Sequence, residues 1–479
     1  MNKIRKTKII CTIGPAVNDD RSVKMLINKG MDAARLNMSH GSYDSHKKSI
    51  KRIREISKKL DRNIAIIADI QGPKIRLGDL KNFETLLEEG KKFKIVKHKI
   101  IGDETCAFLN NKEAFLSIKS GDRLFLNDGI ICLEAVEKSD DKIICKVKNS
   151  GVIRSRTGVN LPDTDIDFPV LTVKDVNDIK FAVEQKLDYI ALSFITKKHD
   201  IEDAKKIIKE FGADIPVIAK IEKPGAVEDI DNIIDVSDAV MVARGDLGIE
   251  ISPEKVPVVQ KQIVKKCIQK GKPVIVATQI LDSMIRNPVP TRAEASDAAN
   301  AVFDSADCLM LSGETAIGKY PEKALEMLDK LIVTCETQYP QKFSTTPELS
   351  DSIPDAVAYA AYSISEKIDA KYIACISHTG NIAKGISRYR PNSGIVAISD
   401  NNNVLNRLSI VKSVIPLKID KIKNTDLFFE LVEKKIESVP DVKIGDIIVL
   451  TAGIPTLEKG STNALQIFRI EKRKKSRVF

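Results

Sequence analysis

Short apolar runs alternate with amphipathic stretches along most of this chain. Eight of the runs are short and rich in β-branched residues, as strands buried on both faces of a parallel sheet should be. These runs are Lys8–Ile13, Asp32–Leu36, Ile64–Asp69, Tyr189–Ser193, Pro216–Lys220, Ala239–Val242, Pro273–Ala277 and Asp307–Leu311. Helical periodicity lies between them at Ser22–Lys29, Tyr43–Leu60, Ala204–Phe211 and Ile263–Lys270. Eight strands alternating with helices predict an α/β fold built around a (β/α)8 barrel.

The long interval between the third and fourth runs has a different pattern of apolar and turn-forming residues. Its strand-like segments are Gly90–Val96, Asp122–Leu126, Cys132–Val136 and Lys142–Val147. Turn candidates such as Asn127–Gly129 and Ser139–Asp141 separate them, which is typical of all-β modules. We therefore expect residues 73–168 to form an inserted small β-barrel lid domain. The barrel beneath it would comprise residues 1–72 and 169–339.

The pattern changes again after Pro340. The segment Gln341–Ser352 is polar and rich in Ser and Thr, as linkers are. Strand-like runs then return at Tyr372–Ser377, Gly394–Ser399, Ser413–Leu417 and Asp446–Thr451. Their alternation with helical stretches predicts that residues 340–479 form a smaller, doubly wound α/β domain.

Composition narrows the class of protein without changing this architecture. No apolar run approaches the roughly 18 residues that span a bilayer, and no signal-peptide core is present, so a cytoplasmic protein is expected. The formal charge of +10 is spread over many helices and tryptophan is absent, which favours anionic metabolites over nucleic acid as partners. The eight cysteines are scattered without a C-x-x-C pair and predict neither zinc nor disulfides.

Polar or charged residues, with many glycines, follow nearly all of the eight predicted strands. In such barrels the active site is built at these strand ends, and a purely structural barrel would not need polar residues there. The predicted cations are Arg35, Lys74, Arg76 and Lys220, and the predicted carboxylates are Asp69, Glu222, Asp246 and Glu314. A lysine and two carboxylates in one cleft would hold a divalent metal and neutralise a phosphorylated anion. For either charged cluster taken alone, an ordinary salt bridge is the alternative.

The kinds of residue at the strand ends favour one chemistry. Two carboxylates with open positions suit Mg²⁺, and the scarcity of histidine disfavours zinc and histidine-based acid–base catalysis. Phosphoryl transfer depends on positioning and charge neutralisation more than on a nucleophile, which fits this set. The chain has no G-x-x-x-x-G-K-[ST] loop, so a nucleotide would be held in another way.

Six strand-end motifs resemble the pyruvate kinase family and occur in that family's order. They are Cys11–Pro15, Ala34–Gly41, Gly72–Arg76, Lys220–Glu222, Ala243–Gly248 and Met310–Thr315. The resemblance implies transfer of the phosphoryl group of phosphoenolpyruvate to ADP, giving pyruvate and ATP in the last step of glycolysis. It also implies Mg²⁺, with Mn²⁺ as a substitute, and a homotetramer.

The resemblance assigns roles around the transferred group. Glu222 and Asp246 would hold Mg²⁺, and Lys220 would stabilise charge on the moving phosphoryl group and the enolate. Arg35 would bind the phosphoryl group as well. The substrate carboxylate would be held by the amides of Gly245 and Asp246 and by Thr278. The residues expected to relay a proton to the enolate are Thr278, Ser312 and Glu314.

The nucleotide and cation contacts depart from the family pattern. Arg76 and His40 would contact the nucleotide, but Thr157 replaces the usual lid lysine, and the neighbouring Arg156 is the candidate substitute. Lys74 stands where many members have a glutamate and need K⁺, so its ammonium would replace that ion and K⁺ would not be required. A surface charge is the alternative for Lys74. The remaining members of the expected ion pocket are Asn37, Ser39, Asp69 and Ile70.

The C-terminal domain resembles the family's effector domain. The loop Ser377-His378-Thr379-Gly380-Asn381 lies between a predicted strand and helix, where backbone amides can cradle a phosphate. A simple helix cap by Thr379 is an equal alternative. The facing stretch after Thr451 lacks the pattern of enzymes that respond to fructose bisphosphate. A sugar monophosphate or AMP is therefore as plausible an effector as fructose 1,6-bisphosphate.

Two other functions are compatible with parts of this pattern. A Mg²⁺-dependent lyase or aldolase acting on a pyruvate enolate would share the carboxylates and Arg35, but it would not need a lid, Arg76 or an ADP site. A non-enzymatic effector-binding or RNA-binding protein would need none of the catalytic set.

Overall fold

The structure is a computed structural model that describes residues 5–164, 170–339, 351–419, 428–439, 441–453 and 462–471. Three predicted features fall largely outside this range: the linker Gln341–Ser352, the stretch facing the effector loop at 454–461, and the domain limits at 168/169 and 339/340.

The described residues contain twenty-one strands. In chain order they are β1 Lys8–Thr12, β2 Ala33–Asn37, β3 Ala65–Ile70, β4 Glu84–Leu87, β5 Lys92–Val96, β6 Cys106–Phe108, β7 Arg123–Leu126, β8 Ile131–Lys138, β9 Lys142–Val147, β10 Gly151–Arg154, β11 Val159–Asn160, β12 Tyr189–Leu192, β13 Val217–Ile221, β14 Ala239–Ala243, β15 Val274–Ala277, β16 Cys308–Leu311, β17 Tyr372–Ile376, β18 Gly394–Ser399, β19 Val414–Lys418, β20 Ile447–Gly453 and β21 Thr462–Arg469.

Sixteen α-helices lie in the same parts of the chain. They are α1 Asp20–Asn28, α2 Tyr43–Lys59, α3 Lys112–Ser117, α4 Val173–Glu184, α5 Lys198–Glu210, α6 Pro224–Glu228, α7 Ile230–Val236, α8 Arg244–Glu250, α9 Val256–Gln269, α10 Arg292–Phe303, α11 Gly313–Ala316, α12 Pro321–Gln338, α13 Ile353–Lys367, α14 Asn381–Ser387, α15 Asn402–Leu408 and α16 Phe428–Ile436. None of the helices in the described parts is long and apolar enough to cross a membrane.

The predicted barrel is confirmed. Eight parallel strands close in the order β1-β16-β15-β14-β13-β12-β3-β2, and each coincides with a predicted strand to within one residue at either end. Alternate side chains such as Ile10, Ile218 and Met241 fill the interior, while their neighbours Ile9 and Val240 pack outward against the helices. Because both faces are buried, the strands are apolar throughout rather than alternating.

The insert and the C-terminal domain form separate sheets with their own cores. In the insert a six-stranded sheet, β11-β7-β8-β9-β5-β6, and the pair β10-β4 make a curled half-barrel rather than a closed one. The C-terminal sheet has the order β19-β18-β17-β20-β21. Its first four strands are parallel, as predicted, and the unpredicted β21 runs antiparallel to β20.

The C-terminal sheet docks on the barrel at the N-terminal ends of the barrel strands. Lys8, the first residue of β1, donates from Nζ to the Val414 carbonyl at 2.7 Å. The backbone amide of Lys412 donates to Oδ1 of Asp307, just before β16, at 3.0 Å. The opposite ends of the strands, where polar residues were predicted to form the site, are left free of this contact.

Lys412 gives this junction a dependence on pH. Its Nζ is buried, donates to the Ala306 carbonyl at 3.2 Å and lies 3.6 Å from Glu336 Oε1. Burial lowers the pKa of Lys412 to about 8, although Glu336 opposes the shift. Between about pH 8 and the ordinary value of 10.5, the folded chain has released this proton while the unfolded chain holds it. Raising the pH through this window therefore favours the folded state.

We expect the Lys412→Met variant to lose this alkaline gain. From pH 8 to 10, the free energy of unfolding of the parent chain should rise by roughly 2 kcal/mol relative to the variant. Denaturant unfolding of both proteins at several pH values measures the difference. Parallel pH profiles would show that Lys412 stays charged in the folded protein.

Candidate active site

Lys220 is the centre of a buried ionic cluster at the C-terminal end of β13. Its Nζ lies 2.8 Å from Glu222 Oε1 and 3.1 Å from Asp69 Oδ1, and it donates to Ser193 Oγ at 2.6 Å. Burial alone would lower the pKa of Lys220, but Asp69 and Glu222 outweigh it and the pKa lies above its ordinary value. The ammonium therefore stays charged although only 8% of the residue is exposed.

Arg35 joins this cluster from β2. Its Nε donates to Asp69 Oδ2 at 2.6 Å, and its Nη1 donates to Thr12 Oγ1 at 3.1 Å. Asp69 thus pairs with two cations, one on each oxygen. Burial would raise the pKa of Asp69, but Lys220 and Arg35 outweigh it and the pKa is lowered. The result is a rigid pair of cations facing the cleft.

Glu222 and Asp246 come from adjacent strand ends. Glu222 is 1% exposed, and its Oε2 accepts from the Phe194 amide at 2.8 Å. Asp246 lies in the first turn of α8, directly after β14. Burial raises the pKa of Glu222 and the charge of Asp246 adds to the shift, while Lys220 opposes it. The Asp246 carboxylate is therefore close enough to disfavour the charge on Glu222.

A divalent metal would relieve this repulsion. Both groups supply hard oxygen ligands, which Mg²⁺ prefers. No group of three or more His, Cys, Asp or Glu side chains that could hold a metal lies within the described residues. A Mg²⁺ ion bound here would have these two carboxylates as protein ligands, and its other coordination positions would be left for substrate oxygens and water, as is usual for this ion.

Thr278 occupies a strained turn after β15. Its φ is +67°, unusual for a β-branched residue, and φ of the following Gln279 is +54°. Thr278 Oγ1 accepts from the Gly245 amide at 2.7 Å and donates to the Ala277 carbonyl at 2.6 Å. Arg244 Nη2 donates to the Thr278 carbonyl at 2.9 Å. The Gly245 amide, predicted to hold a substrate carboxylate, is satisfied by Thr278 in this conformation.

Ser312 and Glu314 lie together after β16. Glu314 accepts from the Ser312 amide at 2.7 Å and from the Leu281 amide at 3.0 Å. Burial raises the pKa of Glu314 in spite of these bonds. The Ser312 Oγ is buried and has no hydrogen-bond partner within the described parts of the chain. An unsatisfied buried hydroxyl is costly in a closed core, so this one indicates a group that a bound molecule would satisfy.

The residues predicted to contact a nucleotide are only partly brought together. Arg76 Nη1 donates to the Arg156 carbonyl at 3.1 Å. The Arg156 side chain is 74% exposed, and its Nε lies 2.9 Å from Asp79 Oδ1. Thr157, in the lysine position, accepts from the Arg154 amide at 2.9 Å. His40 is exposed in the loop after β2 and, within the described residues, forms no hydrogen bond with Arg76 or Arg156.

Protein donors already occupy part of the predicted ion pocket. Asn37 and Asp69 are neighbours in the β2–β3 register, and Asn37 Oδ1 accepts from the Ser39 amide at 3.1 Å. The Ile70 carbonyl accepts from Ser193 Oγ at 2.8 Å. Because both oxygens of Asp69 are also paired with cations, few lone pairs remain for a monovalent ion.

Lys74 is directed toward the lid rather than into this pocket. Its Cε lies 3.6 Å from where a Cβ on Gly158 would stand. Within the described residues, the Lys74 side chain has no hydrogen bond or ion pair. Its ammonium therefore stands between the end of β3 and the lid without a fixed partner.

The loop Ser377–Asn381 was predicted either to cradle an effector phosphate or to cap the following helix through Thr379. No side chain caps α14, so a cap made by Thr379 is wrong. Instead Gly380 is the N-cap residue, with φ of +86°, and its amide donates to Ser377 Oγ at 2.8 Å. His378 Nδ1 lies 4.0 Å from Asp400 Oδ1.

Two hydroxyls of the site stand at predicted strand ends but were given no role there. Ser193 contacts Lys220, and Thr12 contacts Arg35. Both stand at C-terminal strand ends, and this position was the available signal. A lone serine or threonine at a strand end is too common to be singled out without its neighbours.

Comparison with known proteins agrees with this geometry. The family model "Pyruvate kinase, barrel domain" matches residues 4–325, and "Pyruvate kinase, alpha/beta domain" matches residues 355–468. Pyruvate kinases of Staphylococcus epidermidis and Staphylococcus aureus are each 39% identical over 469 residues, covering 97% of this chain and 80% of the relative. A crystal structure of a pyruvate kinase from Cryptosporidium parvum is 37% identical, with a TM-score of 0.91 over 97% of this chain and 96% of the other.

These matches favour phosphoryl transfer over the lyase, aldolase and non-enzymatic alternatives. The chain therefore belongs to the pyruvate kinase family, the glycolytic phosphotransferases that make pyruvate and ATP from phosphoenolpyruvate and ADP.

Proposed function

We propose that this reaction takes place at the cluster formed by Lys220, Arg35, Glu222 and Asp246. The observation that carries the proposal is the charged Lys220 ammonium held between two buried carboxylates. Glu222 and Asp246 would hold Mg²⁺, which supplies charge neutralisation at the phosphate oxygens. Arg35 binds a phosphoryl oxygen. Lys220 stabilises the charge that leaves with the enolate when the phosphorus–oxygen bond to the substrate breaks and the bond to the ADP oxygen forms.

The enolate then takes up a proton at its methylene carbon. Thr278 and Ser312 are the hydroxyls placed at neighbouring strand ends, and the free Oγ of Ser312 supports its part in the relay. Glu314 accepts hydrogen bonds from the backbone amides of Leu281 and Ser312. It is therefore suited to hold the two loops that carry the hydroxyls of Thr278 and Ser312. The amides of Gly245 and Asp246 would bind the substrate carboxylate, with Thr278 turning from Gly245 toward the substrate.

The nucleotide would lie between the barrel and the lid. Arg76 stands at the hinge of the lid and Arg156 on its facing loop, so both can reach phosphate oxygens. Arg156 must leave Asp79 to do so. Because that pair is exposed, the exchange costs little. His40 borders the same cleft from the loop after β2.

K⁺ would not be required at this site. The occupied oxygens of Asp69 and the Ile70 carbonyl leave an incomplete ion pocket, and the Lys74 ammonium, which lies toward the lid, would bring its positive charge to the phosphates from that side. This combination supports catalysis with Mg²⁺ or Mn²⁺ alone.

We expect full pyruvate formation from phosphoenolpyruvate and ADP with Mg²⁺ in buffer free of K⁺. The Lys74→Glu variant should instead need K⁺, with at least about tenfold lower turnover in its absence, because a favourable charge near the phosphates has been reversed. Lys81→Glu, an exposed lid lysine, is the matched control. Turnover of the parent chain that appears only after K⁺ is added would reject the role of Lys74 but keep the enzyme.

Four further predictions concern regulation, assembly, location and domain limits. They are binding of a phosphorylated sugar or nucleotide at residues 377–381 with allosteric control, assembly as a homotetramer, a cytoplasmic location, and domain limits at 72/73, 168/169 and 339/340. The satisfied amide of Gly380 leaves the later amides of α14 to meet an effector phosphate.

A further inference from the structure

The two proposed metal carboxylates belong to different elements, so their separation has to be set by the protein. Glu222 lies just beyond β13, and Asp246 lies in the first turn of α8. The next residue after Glu222 is Lys223, and the residue one helical turn after Asp246 is Glu250. Lys223 Nζ lies 2.6 Å from Glu250 Oε1. This ion pair therefore joins the same two segments that carry the carboxylates.

Burial restricts the geometry of the Lys223–Glu250 ion pair. The Glu250 side chain is fully buried and that of Lys223 is 19% exposed. Buried charges stay in place only when each has its partner, because separating them leaves an uncompensated charge. The Lys223 ammonium also lies 5.8 Å from the centre of the Phe194 ring. The backbone amide of Phe194 is the donor to Glu222 Oε2.

The lid also contacts this ion pair. Asn160 of β11 donates from Nδ2 to Glu250 Oε1 at 2.8 Å. This one oxygen therefore accepts hydrogen bonds from both Asn160 of the lid and Lys223. The other oxygen, Oε2, is buried and has no hydrogen-bond partner among the residues that the structure describes. A half-satisfied buried carboxylate is expensive in a core and is retained where position matters more than stability.

We propose that Lys223 and Glu250 form a clamp, a positioning pair that fixes the spacing between Glu222 and Asp246. The clamp rests on the proposed metal role of those carboxylates. It acts through the rigid α8, since Asp246 and Glu250 lie on one face of that helix. When the pair is broken, α8 and the end of β13 can move relative to one another, and the two metal ligands lose their fixed separation.

Direct binding of Mn²⁺ to the full chain without substrates tests the clamp. Free Mn²⁺ is titrated by its electron paramagnetic resonance signal. Lys223→Met and Glu250→Gln should each weaken binding about tenfold, as changes behind metal ligands commonly do. Lys223→Arg, which keeps the positive charge, should retain most of the Mn²⁺ affinity of the parent chain. Glu250→Gln keeps the shape of the side chain and gives the same readout if Lys223→Met does not fold.

The matched control is Lys205→Met. Lys205 pairs with Asp238 at 2.8 Å, before the start of β14 and away from the site. Its loss should change Mn²⁺ affinity less than about twofold, since no carboxylate of the site is attached to it. If the clamp variants behave like this control, the clamp is overturned.

One further variant separates this failure from failure of the metal site. Glu222→Gln should abolish Mn²⁺ binding if Glu222 is a ligand. Unchanged binding in Glu222→Gln would overturn the proposed metal site, and the clamp with it. Loss of binding in Glu222→Gln together with control-like clamp variants would overturn the clamp alone.

Discussion

Replacing Lys220 with methionine is expected to lower kcat by about a thousandfold and to leave a less stable protein. Preorganised donors at developing charge are each worth about 10²–10³ in rate, and a charged donor lies at the upper end. The KM for phosphoenolpyruvate should change less than kcat, because Arg35 remains to bind the phosphoryl group. Steady-state kinetics at saturating Mg²⁺ measures both quantities.

Stability falls in the same variant for a separate reason. Lys220 is the main partner that holds down the pKa of buried Asp69, and it opposes the raised pKa of Glu222. Without it these carboxylates are short of compensating charge, a loss that costs about 3–5 kcal/mol when one partner of a buried pair is removed. Part of this cost disappears when the carboxylates take up protons, so the loss should be smaller in acid.

Lys8→Met separates the catalytic effect from the structural one. Lys8 is another buried barrel lysine, and it bonds to the Val414 carbonyl at the opposite end of the strands. The change should reduce stability but leave kcat within about twofold, because no reacting group is near it. A large loss of kcat in Lys8→Met would mean that weakened folding, and not a missing charge, explains the Lys220 result.

The barrel could be predicted from the sequence because its strands are buried on both faces. Burial on both sides demands continuous runs of Ile, Val and Ala. The ends of such runs are easy to recognise because the neighbouring helices are rich in charged residues. The short lid strands β4, β6, β10 and β11 carry no comparable run, and they were missed. The final strand β21 was missed because most of its side chains are partly exposed, which leaves a weak pattern.

The charged centre of the site was predictable for a similar reason. A charge such as Lys220 directly behind a buried strand has few explanations other than a site. Side chains whose direction depends on contacts between distant parts of the insert sequence were not predictable. The pairing of Arg156 with Asp79 and the approach of Lys74 to Gly158 bring together residues that are far apart in the sequence of the insert. Both therefore depend on how the insert folds. Glu250 was missed because an acidic residue at the end of a helix has no distinctive pattern.

Arg390 is expected to be the most important single side chain for the stability of the junction between the barrel and the C-terminal sheet. Its two terminal nitrogens contact the two oxygens of Asp307 at 3.2 and 2.8 Å, and the side chains are 6% and 3% exposed. Bidentate pairs of this kind are the strong ones. Arg390→Met should lower the free energy of unfolding by about 3–5 kcal/mol, because it removes the cation that pairs directly with the buried Asp307 carboxylate.

Denaturant unfolding measures this loss, and Arg52→Met is the control. Arg52 also pairs with an aspartate, at 2.6 Å, but that partner, Asp20, is 80% exposed. Removing an exposed pair should cost less than about 1 kcal/mol. Equal losses in the two variants would contradict the argument, since they would show that Asp307 is satisfied by the Val274 and Lys412 amides alone. A much larger loss for Arg390→Met would show that these two amides do not replace a guanidinium, because they donate hydrogen bonds but carry no net charge.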